Sequence, residues 1–108
     1  MTRRRRMQWS LPEPYYDAGG ITIYADDALS VLRVLPANSV NAVITDPPYG
    51  IRYRTKRGER IANDDRPFIW WLHDAYRLTR AGGALICFCR WDVQEAFRFA
   101  IGLAGYRL

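Results

Sequence analysis

The sequence predicts an α/β fold with about three parallel strands and flanking helices, on two kinds of observation. Ile21–Tyr24, Val40–Thr45 and Ala84–Phe88 are short apolar runs with the length and β-branched content of strands. Between and after them lie segments whose apolar residues recur at helical spacing, set off by Asp, Gly and Pro. Strands alternating with helices along one chain favour a parallel sheet joined by crossover helices.

Residues 1–19 read as a basic, flexible tail and residues 20–108 as one domain. In the tail, Arg3-Arg4-Arg5-Arg6 suits either phosphate contact or a solvated terminus, and Pro12-Glu13-Pro14 rules out regular structure. Ile21-Thr22-Ile23-Tyr24 is the first strand. Asp26 or Asp27 then caps a helix with an Ala28, Val31, Leu32, Leu35 stripe, which Pro36 ends. With strand Val40–Thr45 this makes one parallel crossover. Asp64 and Asp65 open a second helix, with Pro67 in its first turn and an apolar stripe of Phe68, Trp71, Leu72, Ala75 and Leu78. Trp70 lies off that stripe and His73 one step from it, at a surface or interface position. Gly82-Gly83 stops the helix. After the strand Ala84–Phe88, Asp92 and Glu95 have the spacing of a capping box for a last helix that ends at Gly105. Its stripe is Val93, Ala96, Phe97, Ala100, Ile101 and Ala104. Tyr106-Arg107-Leu108 reads as the entry to another strand.

A chain of 108 residues with 49% hydrophobic and 25% charged residues can bury one modest core and is not of disordered composition. Lys and Arg number 16 against 11 Asp and Glu, so the net charge of +5 suits a polyanionic partner. No apolar run approaches membrane-spanning length and no signal-type segment follows the arginines, which implies a cytoplasmic protein without a membrane partner. Cys87 and Cys89, the cysteines of the chain, stand two residues apart on one strand face. They read as buried free thiols rather than half of a metal site, so no metal is expected.

Asp46-Pro47-Pro48-Tyr49-Gly50 carries the chemistry. It follows the apolar run Val40–Thr45, and its two prolines force the chain out of the strand as a stiff extended loop. Such a loop at the carboxyl end of a parallel strand is where open α/β sheets bind ligands. The segment after it, from Ile51 to Arg60, is polar and basic, with Arg52, Arg54, Lys56, Arg57 and Arg60 around Tyr53, and suits a grip on phosphates.

Together with Ile23–Leu29, the Leu35–Val40 turn and Ala62-Asn63-Asp64-Asp65, this motif resembles the amino-methyltransferases of DNA, particularly phage and restriction-type enzymes. These modify the exocyclic nitrogen of adenine or cytosine, and their catalytic motif is an Asp, Asn or Ser followed by two prolines and an aromatic residue. The resemblance covers roughly residues 20–108 and implies a partial Rossmann-like fold that uses S-adenosylmethionine. It assigns Asp46 and the Pro47 carbonyl to the two amino hydrogens, Pro48 to spacing, and Tyr49 to stacking on an extruded base. It places Asp26 near the adenine of the methyl donor, a role that competes with simple helix capping. With DNA as the substrate class, the phosphates that the basic loop suits, through Arg52, Arg54, Lys56, Arg57 and Arg60, are those of DNA.

An Asp at the head of the motif favours N6 of adenine over N4 of cytosine. Related motifs also serve RNA and protein-glutamine methyltransferases, and a catalytically dead nucleic-acid-binding remnant is the non-enzymatic alternative. The family's donor-binding F-x-G-x-G motif does not occur in the 108 residues. The sequence therefore reads as the catalytic-motif part of a methyltransferase, inactive alone, with a second chain or a carboxyl-terminal half as partner and a tendency to self-associate.

Overall fold

The computed structural model describes residues 10–108; the arginine run at positions 3–6 lies outside them. The chain forms two compact units divided between Leu35 and Pro36. Among the described residues no helix is long and apolar enough to cross a membrane.

The first unit holds β1 (Tyr16–Ala18), β2 (Ile21–Ile23) and α1 (Ala28–Val34). The strand predicted at Ile21 is present, but its partner is β1, in an antiparallel hairpin. Gly19 and Gly20 explain the pairing: φ angles of 61° and 78° are those of a tight type I′ turn, whose twist matches paired strands. Of the two candidate caps, Asp27 is the one that starts α1, accepting the Ser30 N–H at 3.2 Å. Asp26 instead accepts the N–H of Asp27 at 2.7 Å.

The second unit contains β3 (Val40–Thr45), α2 (Leu72–Leu78), β4 (Thr79–Cys87), a 3₁₀ turn at Trp91–Val93, and α3 (Gln94–Ala104). β3 and β4 pair in parallel, with Ala42 opposite Ala84 and Thr45 opposite Cys87. Among the described residues this parallel sheet has two strands, against the three or so predicted.

The second helix begins later than the sequence suggests. Asp64 and Asp65 do not open it; α2 starts at Leu72, after an irregular stretch anchored by the Trp71 indole donating to the Phe68 carbonyl at 2.6 Å. The predicted stripe is real from Trp71 onward, with Trp71, Leu72, Ala75 and Leu78 buried against Phe97 and Ile101 of α3. Trp70 and His73 lie exposed. The helix ends at Leu78, not at Gly82-Gly83, because Thr79 caps it through its N–H and its hydroxyl, the latter 2.7 Å from the Ala75 carbonyl. The two glycines lie within β4, at the irregularity opposite Val40–Ala42. A Cβ on Gly83 would stand 2.7 Å from the Asn41 carbonyl oxygen, so only glycine permits this approach of the strands.

α3 does not use the capping box. Arg90 holds Asp92 instead, at 2.5 Å and 3.0 Å, and the helix starts from Val93 with no side-chain cap. Gly105, at φ 122°, closes it. Tyr106 then turns back rather than starting a strand. Its ring meets Tyr76 edge-on at 5.1 Å and its hydroxyl lies 2.8 Å from the Thr79 hydroxyl. Thr79 thus joins the end of α2 to the end of α3. Thr79→Val keeps the shape and removes both hydrogen bonds, so urea unfolding is expected to show a loss of about 1–2 kcal/mol.

Candidate acceptor site at the carboxyl end of the parallel sheet

The ladder between β3 and β4 runs to its last rung, the Phe88 N–H donating to the Thr45 carbonyl at 2.9 Å. Asp46 is the next residue, so the motif leaves the sheet at its carboxyl end, as the strand–diproline pattern predicts. Asp46 is exposed, while Pro47 is buried and Pro48, Tyr49 and Gly50 are half-buried. The Tyr49 hydroxyl donates to Asp46 Oδ1, and this bond to a carboxylate pushes the Tyr49 pKa up to about 12. Among the described residues nothing donates to Asp46 Oδ2 or to the Pro47 carbonyl. Two acceptors on adjacent residues, one a carboxylate oxygen and one a carbonyl, are therefore without a donor among the described residues. The Pro48 carbonyl is not a third, because the Phe68 N–H donates to it at 3.1 Å.

The loop is held by Asp64, whose side chain the sequence assigned to opening a helix. Asp64 is 4% exposed, and its carboxylate accepts the N–H groups of Gly50 (2.8 Å), Ile51 (3.2 Å) and Tyr53 (2.8 Å). Its own carbonyl takes the Arg52 N–H at 2.8 Å. The backbone of residues 50–53 is thereby wrapped around one acidic residue. Left-handed φ angles at Gly50 (81°), Arg52 (52°) and Asn63 (61°) accompany this wrapping. Burial alone would push the Asp64 pKa up. The N–H groups of Tyr53, Gly50 and Ile51 outweigh it and hold the carboxyl below its ordinary value.

Gly50 sits at the closest approach. A Cβ there would lie 2.3 Å from the Arg66 carbonyl carbon and 2.4 Å from the Pro67 nitrogen. Sequence reasoning placed Gly50 in the motif and Asp64 in the family resemblance but missed that Asp64 holds the loop and that Gly50 alone admits the close approach. Nothing within a few residues of Asp64 signals a partner 14 positions away.

The basic segment following the motif folds as a small hairpin. Arg54 and Arg60 form an antiparallel bridge, the Thr55 N–H donates to the Glu59 carbonyl at 2.9 Å, and Gly58 turns the chain at φ 82°. Arg52, Arg54, Lys56, Arg57 and Arg60 are all exposed, and among the described residues none is in an ion pair. Asp64 thus ties the motif and the basic segment into one cluster. Asp26 lies in the other compact unit. Cys87 and Cys89 are half-buried free thiols; burial, then proximity to Cys89 and Asp46, pushes Cys87 up to about 11.

A cavity of about 860 Å³ lies along β4 and α3, with no motif residue in its wall; Arg77, Arg80, Arg98 and Arg107 line it together with Cys87 and Cys89, and no acidic side chain does. Arg77 is engaged with Asp74, and Arg80 with Asn38 and Asn41. A second cavity, about 530 Å³, lies under the basic hairpin.

No family model matches the chain, and no solved structure matches it. The sequence is 30% identical over 86 residues, 77% of the chain, to the Type II methyltransferase M.ScaI of Streptomyces caespitosus, covering 27% of that protein. It is 31% identical over 84 residues, 74% of the chain, to YubD of Escherichia coli (strain K12), which carries a provisional methylase name, covering 36% of it. A 37-residue stretch, 33% of the chain, is 51% identical to the Type II methyltransferase M.Cfr9I of Citrobacter freundii, covering 12% of that enzyme. The chain spans about a quarter to a third of the length of the first two. Over about three quarters of its own length, this chain is a homologue of the Type II DNA methyltransferases.

Proposed function

We propose that residues 20–108 are the acceptor half of a DNA methyltransferase domain with a partial Rossmann-like fold, transferring a methyl group from S-adenosylmethionine to N6 of adenine. The observation that carries this reading is the pair of acceptors without a donor among the described residues, Asp46 Oδ2 and the Pro47 carbonyl, on a loop fixed at the end of a parallel strand. An exocyclic amino group conjugated to its ring is a poor nucleophile. Holding both its hydrogens on acceptors turns the nitrogen lone pair out of conjugation and toward an electrophile, so positioning and electrostatics supply most of the rate. Asp46 takes one N–H and the Pro47 carbonyl the other. The Tyr49 ring, three residues from Asp46, stacks on the extruded base. An acidic head residue supports adenine over cytosine.

The described residues do not form a cradle for the donor. The larger cavity offers arginines and no carboxylate to a sulfonium and its ribose, and Asp26 is turned to the backbone of α1. All the chemistry assigned to this chain therefore concerns the acceptor base. A partner segment bearing the F-x-G-x-G motif completes the site, and the chain alone transfers little or no methyl.

The test is tritium transfer from S-adenosylmethionine to duplex DNA, with and without a polypeptide that carries the donor-binding segment, followed by nucleoside analysis of the product. The expected product is N6-methyladenine, formed only by the combined chains. Asp46→Ala should lower the rate by a factor on the order of 10²–10³, as for loss of one preorganised polar group at a reacting centre. Transfer that survives Asp46→Ala would overturn the assignment of the site, and N4-methylcytosine as product would overturn the choice of base.

A further inference from the structure

The 530 Å³ cavity under the basic hairpin has no role in the transfer just described, and its wall brings three arginines and a tyrosine together. Its volume falls within the roughly 300–1,000 Å³ usual for small-ligand sites. Arg52, Arg54 and Arg60 line it together with Tyr53, Asn63 and Asp64. Tyr53 is 50% exposed, so its ring can meet a partner. The acidic residues of the wall are already committed. The oxygens of Asp64 face the N–H groups of Gly50, Ile51 and Tyr53, and Asp65 lies 3.6 Å from Arg66. The three guanidinium groups have no ion pair among the described residues. A set of three arginines that outnumbers the two carboxylates of the wall, beside an exposed aromatic ring, matches one phosphate and the base next to it.

We propose that this cavity binds the nucleotide adjacent to the target base in a DNA strand, with its phosphate on Arg52, Arg54 and Arg60 and its base on Tyr53. The proposal deepens the reading above and rests on it. Asp64 gives the subsite its position. The carboxylate that holds the Gly50 N–H also holds the Tyr53 N–H, so the stacking ring and the catalytic loop are fixed to one group. An occupied subsite sets the strand in register, so that the next base along meets Asp46 and Pro47. The cavity is thus a ruler for which nucleotide enters.

The experiment measures binding of the full chain to a fluorescein-labelled single-stranded deoxyoligonucleotide by anisotropy, across a range of salt concentrations. Arg54→Ala/Arg60→Ala is expected to weaken binding about tenfold and to flatten the log–log salt dependence by about 0.7, the loss of one phosphate contact on a single strand. Tyr53→Ala is expected to weaken binding on the order of tenfold with the salt slope unchanged, and Tyr53→Phe to restore it, since only the ring is used. Arg98→Ala/Arg107→Ala, removing equal charge elsewhere on the same unit, should leave the slope as in the parent chain. Equal losses from the two arginine pairs, or full binding by Tyr53→Ala, would overturn the subsite while leaving the methyltransferase reading intact. Absence of binding by the parent chain at low salt would overturn DNA as the substrate and the subsite with it.

Discussion

Gly50→Ala is expected to collapse the acceptor loop, with a loss on the order of 4 kcal/mol or more in stability, measured by urea unfolding. Two independent costs add. The backbone at Gly50 is left-handed, φ 81°, where a Cβ alone costs about 1–2 kcal/mol. The Cβ would also lie 2.3 Å from the Arg66 carbonyl carbon and 2.6 Å from its Cα, and backbone cannot rotate aside as a side-chain tip would. The two strands of chain must separate, and doing so pulls the Gly50 N–H off Asp64 and the Phe68 N–H off Pro48. Hydrogen exchange at Gly50, Ile51, Tyr53 and Phe68 should therefore accelerate together, while the α2–α3 core around Phe97 keeps more of its protection. Unchanged exchange at those amides would show that the loop tolerates a side chain there and that the close approach is not a constraint.

Asp64→Ala is expected to cost about 3–5 kcal/mol, because it strands the N–H groups of Gly50, Ile51 and Tyr53 in a largely buried place without an acceptor. Asp64→Asn should cost less, since one amide oxygen can still accept, but it removes the charge and with it a pH dependence. The sign follows from the direction of the shift. The folded-state pKa of Asp64 is depressed below that of the unfolded chain, so the stabilisation is fully present above the unfolded value, near pH ~3.9. It is lost as the pH falls through the lower folded value. Urea midpoints of the parent chain should drop through this acid window, and those of Asp64→Asn should drop less. A variant with the parent's acid profile would show that the carboxylate is not what the loop amides hold. The catalytic consequence is separable: either Asp64 variant, joined to the donor-binding partner, should reduce transfer through loss of loop order while Asp46 itself is untouched.

Much of this molecule is written locally. The run Val40–Thr45, the diproline after it, and the exit of Asp46–Tyr49 at the carboxyl end of a parallel strand follow from β-branched apolar residues and from prolines that cannot continue a ladder. The buried stripe of α2, the body of α3 and the end of α3 at Gly105 follow equally from spacing and from a glycine at the stop. Type II methyltransferases with matching sequence bear out the relationship that the motif and its flanks imply.

What local pattern misread were acidic residues and glycines whose partners it does not specify. Asp64 and Asp92 have the residue type of helix caps, yet one gathers amides from 11 to 14 residues back and the other pairs with Arg90. Gly82-Gly83 looks like a helix stop but lies within a strand, where Gly83 must pass close to Asn41. Gly19-Gly20 makes a hairpin that takes Ile21–Ile23 as its antiparallel partner. Sequence by itself determined the Val40–Thr45 strand, the helix faces and the place of the motif at that strand's end, because those depend on neighbours a few residues apart. Only the tertiary structure decided which carboxylate fixes the loop after β3 and which glycine admits it. A buried acceptor is assigned by whichever donors folding leaves without water, and that accounting closes only in three dimensions.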